Sequence, residues 1–198
     1  MSQNRDEYGP KNDFGREVIM NSDGDPVTWQ SMLQGDGLDG WDVHNPKAWV
    51  RDGDSISGDS PKGGGGGNLK IGDSDWANYE VSFDATLHEG SYLDFQFRFS
   101  PDGPEGYTFE LRPGWHAAVI SKVTPDGWIQ LSVVNLPVER GREYNIIVAA
   151  RGQSLTSYID GMLLNQVTDD TFPSGAVRFT LWKRNIVQYR NPRIRHYT

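Results

Sequence analysis

Three things are scarce or absent in this 198-residue chain: cysteine, long apolar runs and an excess of positive charge. Without cysteine the chain has no disulfide, no thiolate nucleophile and no cysteine-based zinc site. No stretch approaches the roughly 20 apolar residues that a membrane-spanning helix needs. The 19 basic residues are outnumbered by 27 acidic ones, which gives a formal net charge of −8. We therefore expect no membrane span, and neither nucleic acid nor an anionic membrane as a general partner.

The start of the sequence shows no pattern typical of a leader segment. The first 28 residues are polar and lack a basic stretch followed by an apolar one, so we expect no signal peptide in this chain. The cellular compartment is not determined by this observation, because a cytoplasmic protein and a secreted protein whose signal peptide has been cleaved would both lack this pattern.

Uninterrupted helix-forming windows are scarce as well, because few stretches run ten residues without Gly, Pro, Asn or Asp. The 23 glycines and 11 prolines indicate frequent turns, and aromatic residues, including seven Trp, make up 12% of the chain. This composition predicts an all-β protein, and a chain of this length is long enough to bury one sizeable core.

Two segments show no lasting periodicity. We interpret residues 1–27 as a polar, partly disordered arm that precedes a single domain at residues 28–198. The second segment, residues 52–68, contains five consecutive glycines at positions 63–67. A phosphate-binding P-loop needs a Lys-Ser/Thr pair and a following helix, and this segment offers neither. We expect a flexible surface loop here.

The rest of the chain alternates apolar and polar residues with period 2, which predicts β-strands. The strongest turn signal is Asp160-Gly161 between two apolar runs, because a type I′ hairpin turn accepts Asp-Gly. Short strands at this spacing favour a two-sheet antiparallel sandwich or jelly roll. The predicted strands cover residues 79–85, 93–99, 107–111, 117–123, 128–134, 144–150, 155–159, 162–167, 176–182 and 187–194.

The alternation also separates an apolar face from an unusually charged one. The apolar positions of residues 93–99 and 107–111 must pack in the core. The opposite positions are Asp94, Gln96, Arg98, Glu110 and Arg112, followed in a later strand by Arg178, Thr180 and Trp182. Two interpretations remain open: a solvated outer face with cross-strand ion pairs, or a concave sheet that binds sugars with the help of aromatic platforms.

Several short sequence motifs resemble those of the 3-keto-disaccharide hydrolase domain family. Members of this family begin with an apolar residue, Gly, Leu and Gly-Trp, followed by Trp and Asp-Gly. The matching residues in this chain are Leu33, Gly35, Leu38, Gly40, Trp41, Trp49, Asp52 and Gly53. Later motifs resemble residues 75–81, Ile159-Asp160-Gly161, residues 173–177 and residues 190–194. The resemblance covers residues 30–196 and implies a concanavalin A-like jelly roll that processes carbohydrate. It also implies a bacterial protein that is secreted or periplasmic.

Two motifs depart from the family pattern. The family's Asn-Ser-Gly turn is replaced by the sequence from Ser91 to Phe95, and Thr108 stands where the first Glu of a Gly-Tyr-Glu strand is expected. Glu110 follows two positions later, on the same face of the strand. The resemblance therefore leaves two functions open: a glycoside-cleaving hydrolase or lyase, and a non-catalytic glycan-binding module. A protein-interaction sandwich is a third.

Cleavage of a 3-keto sugar needs one base and one group that polarises the carbonyl, because the ketone acidifies the neighbouring C–H. We predict Glu110 or His116 as the base, with Arg98 or Arg112 beside the carbonyl. Asp94 and Glu110 are interpreted either as an acid–base pair or as members of structural ion pairs. The predicted substrate-binding residues are Asp94, Gln96, Arg98, Arg112, Trp115, Arg178 and Trp182.

A metal site has weaker support in the sequence. Aspartates recur near residues 23–25, 36–42, 73–75 and 169–170. Oxygen ligands of this kind suit Ca²⁺, but none of these segments has the EF-hand spacing, so turn capping is the better interpretation. We expect carbohydrate as the partner, with Ca²⁺ or another divalent cation as a possible addition, and the sequence does not define the oligomeric state.

Overall fold

The computed structural model describes residues 27–100 and 103–197. The predicted N-terminal arm at residues 1–27 lies outside the described residues except for Val27. Among the described residues, no helix has the length and apolar character that crossing a membrane requires.

The described residues form strands joined by short turns, with a one-turn α-helix, α1, at Ser60–Gly63 and 3-10 turns at Pro46–Ala48 and Pro113–Trp115. Hairpins recur because the polar breaks between apolar runs carry turn residues such as Asp160-Gly161. The strands are β1 (Gln30–Ser31), β2 (Asp42–His44), β3 (Trp49–Asp52), β4 (Ser55–Asp59), β5 (Gly67–Ile71), β6 (Tyr79–Glu89), β7 (Leu93–Phe99), β8 (Gly106–Arg112), β9 (Ala117–Thr124), β10 (Gly127–Asn135), β11 (Glu143–Arg151), β12 (Ser154–Ile159), β13 (Met162–Thr168), β14 (Ala176–Leu181) and β15 (Ile186–His196).

Two antiparallel sheets pack face to face. The eight-stranded sheet has the order β13-β12-β11-β6-β15-β4-β3, with β1 added to β15, and the seven-stranded sheet has the order β10-β9-β8-β7-β14-β5-β2. Neighbours in space are often distant in sequence, as in the pairing of β14 with β7 and β5. This arrangement confirms the predicted two-sheet jelly roll of concanavalin A-like form.

The core between the sheets is rich in aromatic rings. Phe83 of the eight-stranded sheet has its ring centroid 5.0 Å from those of Phe95 and Phe179 in the seven-stranded sheet. Tyr189 closes the group at 4.5 Å from Phe179. Since all four side chains are essentially unexposed, their burial supplies a large share of the hydrophobic stabilisation. The inward residues of each strand are therefore committed to folding, and only the outward face of a sheet is available for other tasks.

The prediction of a flexible loop at residues 52–68 is wrong. The segment forms β4, helix α1 and the start of β5, and Asp59 caps the helix by accepting a hydrogen bond from the Lys62 backbone N–H at 2.8 Å. Within the glycine run, a Cβ at Gly66 would lie 2.5 Å from the carbonyl oxygen of Leu181. The Asn45 amide donates to the Gly66 carbonyl at 3.0 Å. Glycine is thus required here for close backbone packing, rather than for flexibility.

A bulge at Arg98 interrupts the alternation of β7. Arg98 has a φ of 45°, and the pairing of β7 with β14 shifts register at the same level. Its guanidinium leaves the outward face and donates to the carbonyls of Ala77, Gly152 and Phe172 at 2.6–3.2 Å. The sequence-based assignment of Arg98 to the charged face is therefore wrong. The extra residue of a bulge reverses the side-chain direction, so Phe99 faces outward.

We expect Gly175→Ala to destabilise the protein by about 2 kcal/mol or more, because the bulge needs a close backbone neighbour. Gly175 has a φ of 148°, and a Cβ there would lie 2.5 Å from the carbonyl carbon of Arg98. Gly127→Ala is the matched control, since Gly127 has a φ of 120° but open space around its Cβ position. Urea unfolding of both variants measures the difference, and equal losses would contradict a requirement for close packing at the bulge.

Candidate functional site

The outward face of the seven-stranded sheet carries a patch of polar side chains, which we call the polar face. Register pairs Asp94 with Thr180 on one side and with Glu110 on the other. The next row crosses from Arg178 through Gln96 and Thr108 to Ser121. The structure thus brings together most of the strand residues that the sequence assigned to one face: Asp94, Gln96, Glu110, Arg112, Arg178, Thr180 and Trp182.

These polar groups are buried although they point away from the core. Asp94 and Ser121 have no exposed surface, and Thr108 and Glu110 are exposed by 1% and 3%. Eight buried side-chain N or O atoms among the described residues lack a hydrogen-bond partner, and five of them belong to the polar face: Asp94 Oδ1, Thr108 Oγ1, Ser121 Oγ, Arg178 Nε and Thr180 Oγ1. An unmet buried hydrogen bond costs about 1–3 kcal/mol, and such groups call for an explanation. The polar face therefore has a surplus of donors and acceptors without partners in the protein.

Asp94 and Glu110 form a carboxyl pair directly across β7 and β8. Glu110 accepts from Arg112 Nε at 3.0 Å and from Arg112 Nη2 in an ion pair. Burial, with the charge of Glu110 second, raises the pKa of Asp94 to about 8. Burial also raises the pKa of Glu110, whereas Arg112 lowers it, so a proton held by this pair favours Asp94 and Arg112 supports the negative charge of Glu110.

Tryptophan rings cover this carboxyl pair and extend beyond it. Trp182 Nε1 donates to Asp94 Oδ2 at 2.7 Å. Its ring lies between those of Tyr92 and Trp128, with centroid distances of 6.3 and 6.2 Å. Trp182 and Trp128 remain 38% and 46% exposed, so each presents an apolar surface to solvent. At the other end, the Arg112 guanidinium lies over the ring of Trp115 at 4.2 Å.

Two adjoining clefts run across the polar face next to these rings. The larger encloses about 470 Å³ and is lined by Trp128, Trp182, Gln96, Thr180 and Arg178, among others. The smaller encloses about 330 Å³ and reaches Lys70 and Asp42. The two share the side chains of His44, Asn68, Pro104 and Arg178. Each has the size of a small-ligand site.

His116 lies apart from the groups that line the clefts. It follows a 3-10 turn at Pro113–Trp115, has a φ of 49° and is exposed. Its backbone is fixed by the amide of Leu136, which donates to the His116 carbonyl at 2.7 Å, but its side chain makes no hydrogen bond to any described residue. The catalytic role of His116 stays a prediction, as does that of Glu110.

Several residues of this face escaped the sequence-based reasoning. Thr108 and Ser121 extend the polar row, while His44, Asn68 and Lys70 line the clefts from strands β2 and β5. Alternation marks which side of its own strand each residue occupies. It does not reveal that β5 and β2 extend the sheet beyond β14, because that depends on long-range strand order.

No three His, Asp or Glu side chains come together as a group that could hold a metal ion in the part of the chain that the structure describes. Of the aspartates in the acidic segments, Asp169 accepts instead from Lys122 and Tyr107, each at 2.7 Å. Burial raises the pKa of Asp169, but the hydrogen bond from Lys122 outweighs burial and holds this pKa well below its usual range. The Ca²⁺ site expected from the sequence stays a prediction.

The two antiparallel sheets place the protein in the class of concanavalin A-like jelly-roll β-sandwiches. More particularly, residues 28–195 match the model of the 3-keto-alpha-glucoside-1,2-lyase-like domain, and the chain belongs to that family. This confirms the resemblance seen in the sequence motifs. No curated protein matches the chain.

Solved structures with the same fold include proteins of both binding and hydrolytic description. The carbohydrate binding module CBM66 from Bacillus subtilis superposes with a TM-score of 0.67 at 17% identity, over 79% of this chain and 95% of that chain. A putative glycosyl hydrolase from Parabacteroides distasonis gives 0.62 at 12% identity, over 85% and 99%. The Bacillus licheniformis beta-glucanase gives 0.54 at 15% identity, over 86% and 92%. At these identities the similarity establishes the fold alone.

We expect Asp94→Asn to flatten the dependence of stability on pH. The folded protein keeps a proton on Asp94 up to about pH 8, whereas an unfolded Asp releases it near pH 4. Stability is therefore lost as pH rises between these values, by at most about 1.4 kcal/mol for each pH unit. The uncharged amide avoids this loss, so the variant's unfolding midpoint should exceed that of the parent increasingly from pH 4 to pH 8.

Thermal unfolding at pH 4, 6 and 8 measures this difference. Asp126→Asn, in the exposed turn before β10, controls for the loss of one carboxylate. An Asp94→Asn variant that is equally destabilised at all three values would show that Asp94 is ionised in the folded protein.

Proposed function

We propose that the polar face binds a glycan. The observation that carries this proposal is the group of five buried polar atoms on this face that lack protein partners. A sugar presents closely spaced hydroxyl groups, each of which both donates and accepts, so a bound sugar can satisfy hydroxyl, carboxyl and guanidinium groups together. A partner with an apolar surface would leave these groups without hydrogen bonds and would bind at a cost.

The exposed rings support the same ligand class. The faces of a sugar ring carry C–H groups that pack against aromatic rings, and Trp128 and Trp182 border the larger cleft. The combination of an apolar plate with nearby hydrogen-bonding groups matches the mixed surface of a sugar. The description of CBM66 as a carbohydrate binding module shows that a protein of this fold is assigned such a role.

We expect Trp128→Ala to weaken glycan binding by about tenfold, because the substitution removes one plate while leaving the polar row intact. Leu163→Ala is a matched control, since Leu163 is 49% exposed and belongs to β13 of the other sheet. Glycan-array screening followed by calorimetry on the best ligand gives both affinities. Unchanged affinity in Trp128→Ala would contradict binding at this cleft.

A second candidate function is cleavage of a 3-keto glycoside, and the Asp94–Glu110 pair favours it. In this pair the protonated carboxyl of Asp94 lies opposite the carboxyl of Glu110, whose charged form is paired with Arg112. Acid–base catalysis needs one proton donor and one proton acceptor in such an arrangement. In this proposal Glu110 removes the acidified proton beside the ketone, Asp94 protonates the leaving oxygen and Arg112 stabilises the developing charge. His116 is the alternative base. Arg98 has no part, because its guanidinium is held by backbone carbonyls elsewhere.

Cleavage also requires a movement. Glu110 is 3% exposed, and the Trp182 ring lies above its partner Asp94, so a substrate can reach the pair only if Trp182 swings away. The hydrogen bond from Trp182 Nε1 to Asp94 must then break. Glycan binding to the exposed rings of Trp128 and Trp182 and to Arg178, which line the larger cleft, needs no such change, and we therefore place it first.

If cleavage occurs, Glu110→Gln should lower the turnover of a 3-keto glucoside by at least about 100-fold, because the amide cannot act as a base. His116→Ala tests the alternative base and should leave turnover within about threefold of the parent. Release of the leaving group is followed by chromatography with both variants. Turnover that survives Glu110→Gln but not His116→Ala would transfer the role of base to His116.

A further inference from the structure

Among the residues that the structure describes, Arg178 is a cation without an anionic partner. Its Nη2 donates to the Oε1 of Gln96, a neutral amide, and its Nε has no partner. No carboxylate among the described residues forms an ion pair with it. Burial, which is the largest influence, lowers the pKa of Arg178, but an arginine remains charged at any physiological pH.

The charges around Arg178 do not neutralise it. Asp94 acts on it electrostatically, but Asp94 already accepts from Trp182 and holds a proton at neutral pH. Lys70 is its cross-strand neighbour in β5, and Asp42 is committed to Lys70 at 2.9 Å. The Lys70–Asp42 pair contributes no net charge, so one positive charge remains in the clefts.

The guanidinium is also held in place. It lies over the ring of Phe99 with 3.7 Å between its carbon and the ring centroid. Phe99 reaches this face only because the bulge at Arg98 reverses the alternation of β7. A guanidinium that is stacked on a ring presents its N–H groups in a fixed plane, which is the geometry that a planar carboxylate accepts. Arg178 lines both clefts, so a ligand in either can reach it.

We propose that the glycan bound by the polar face is acidic, with a sugar carboxylate that pairs with Arg178. This inference rests on the proposed glycan binding and names its ligand class. The hydroxyl groups of the sugar meet Thr180, Gln96 and Asn68, which line the larger cleft, the ring packs on Trp128 or Trp182, and the carboxylate supplies the anionic partner that Arg178 lacks.

The test compares uronic acid oligosaccharides with the same molecules after reduction of their carboxyl groups. Glucuronate, galacturonate and mannuronate oligomers and their reduced forms are titrated into the protein by calorimetry. We expect at least one acidic oligomer to bind about tenfold or more tightly than its neutral counterpart. In Arg178→Gln the ratio of the two affinities should fall to about one, because the neutral amide cannot form an ion pair with the carboxylate and any contact to sugar hydroxyls is lost for both forms alike. Arg178→Lys should keep part of the preference, because it retains the charge without the planar fork.

Arg190→Gln is the matched control, because Arg190 is an exposed arginine on the eight-stranded sheet, and its preference should equal that of the parent. If Arg178→Gln does not fold, NMR of the parent protein gives the same test. The acidic oligomer should then shift the Arg178 side-chain signals more than the neutral oligomer does. Equal binding of both forms, or a preference that survives in Arg178→Gln, would overturn the acidic ligand and leave glycan binding standing. Failure of every oligomer, together with an empty glycan array, would overturn both.

Discussion

The buried guanidinium of Arg98 is the constraint on which the geometry of the polar face depends. A charge with 1% exposure must have hydrogen-bond acceptors, and it finds them in the carbonyls of Ala77, Gly152 and Phe172. These carbonyls belong to three separate connections, so one side chain ties the seven-stranded sheet to loops around the other sheet. The left-handed backbone that delivers the guanidinium also turns Phe99 outward. A residue that never faces the clefts thereby determines what lines the smaller one.

The two faces of the seven-stranded sheet divide folding and function between them. Its inner face is apolar and packs rings such as Phe95 and Phe179 against the other sheet. Its outer face keeps polar atoms of Asp94, Thr108 and Ser121 buried without partners. At about 1–3 kcal/mol each, these groups would be replaced if stability alone mattered. The aromatic core offsets their cost, and the partly exposed Arg178, whose Nε also lacks a partner, extends this set of groups into the clefts.

Local sequence pattern predicted the ten strands from β6 to β15 and most of the polar face, because side-chain direction alternates strictly along a regular strand, but it missed the short strands β1 to β5. It correctly placed Asp94 and Glu110 together, since both lie in strands whose hairpin pairing follows from proximity in sequence. It failed at Arg98, because a bulge depends on acceptors that lie far away in the chain. It also failed at residues 52–68, where the glycines serve close packing, and at Lys70, whose place beside β14 depends on strand order. Interactions between distant segments decided each of these cases.

The net charge of −8 and the cationic cleft act over different distances. At physiological ionic strength charges are screened beyond about 8 Å, so the acidic loops impose only a weak repulsion on an approaching anion. Within the cleft, Arg178 is partly buried and stacked on Phe99, where screening by salt is much less effective. The overall charge therefore disfavours long, densely charged polyanions such as nucleic acids, which extend across the acidic surface. A short chain with one carboxylate at Arg178 gains the local contact and avoids most of the repulsion, so the same protein can reject polyanions and accept an acidic sugar.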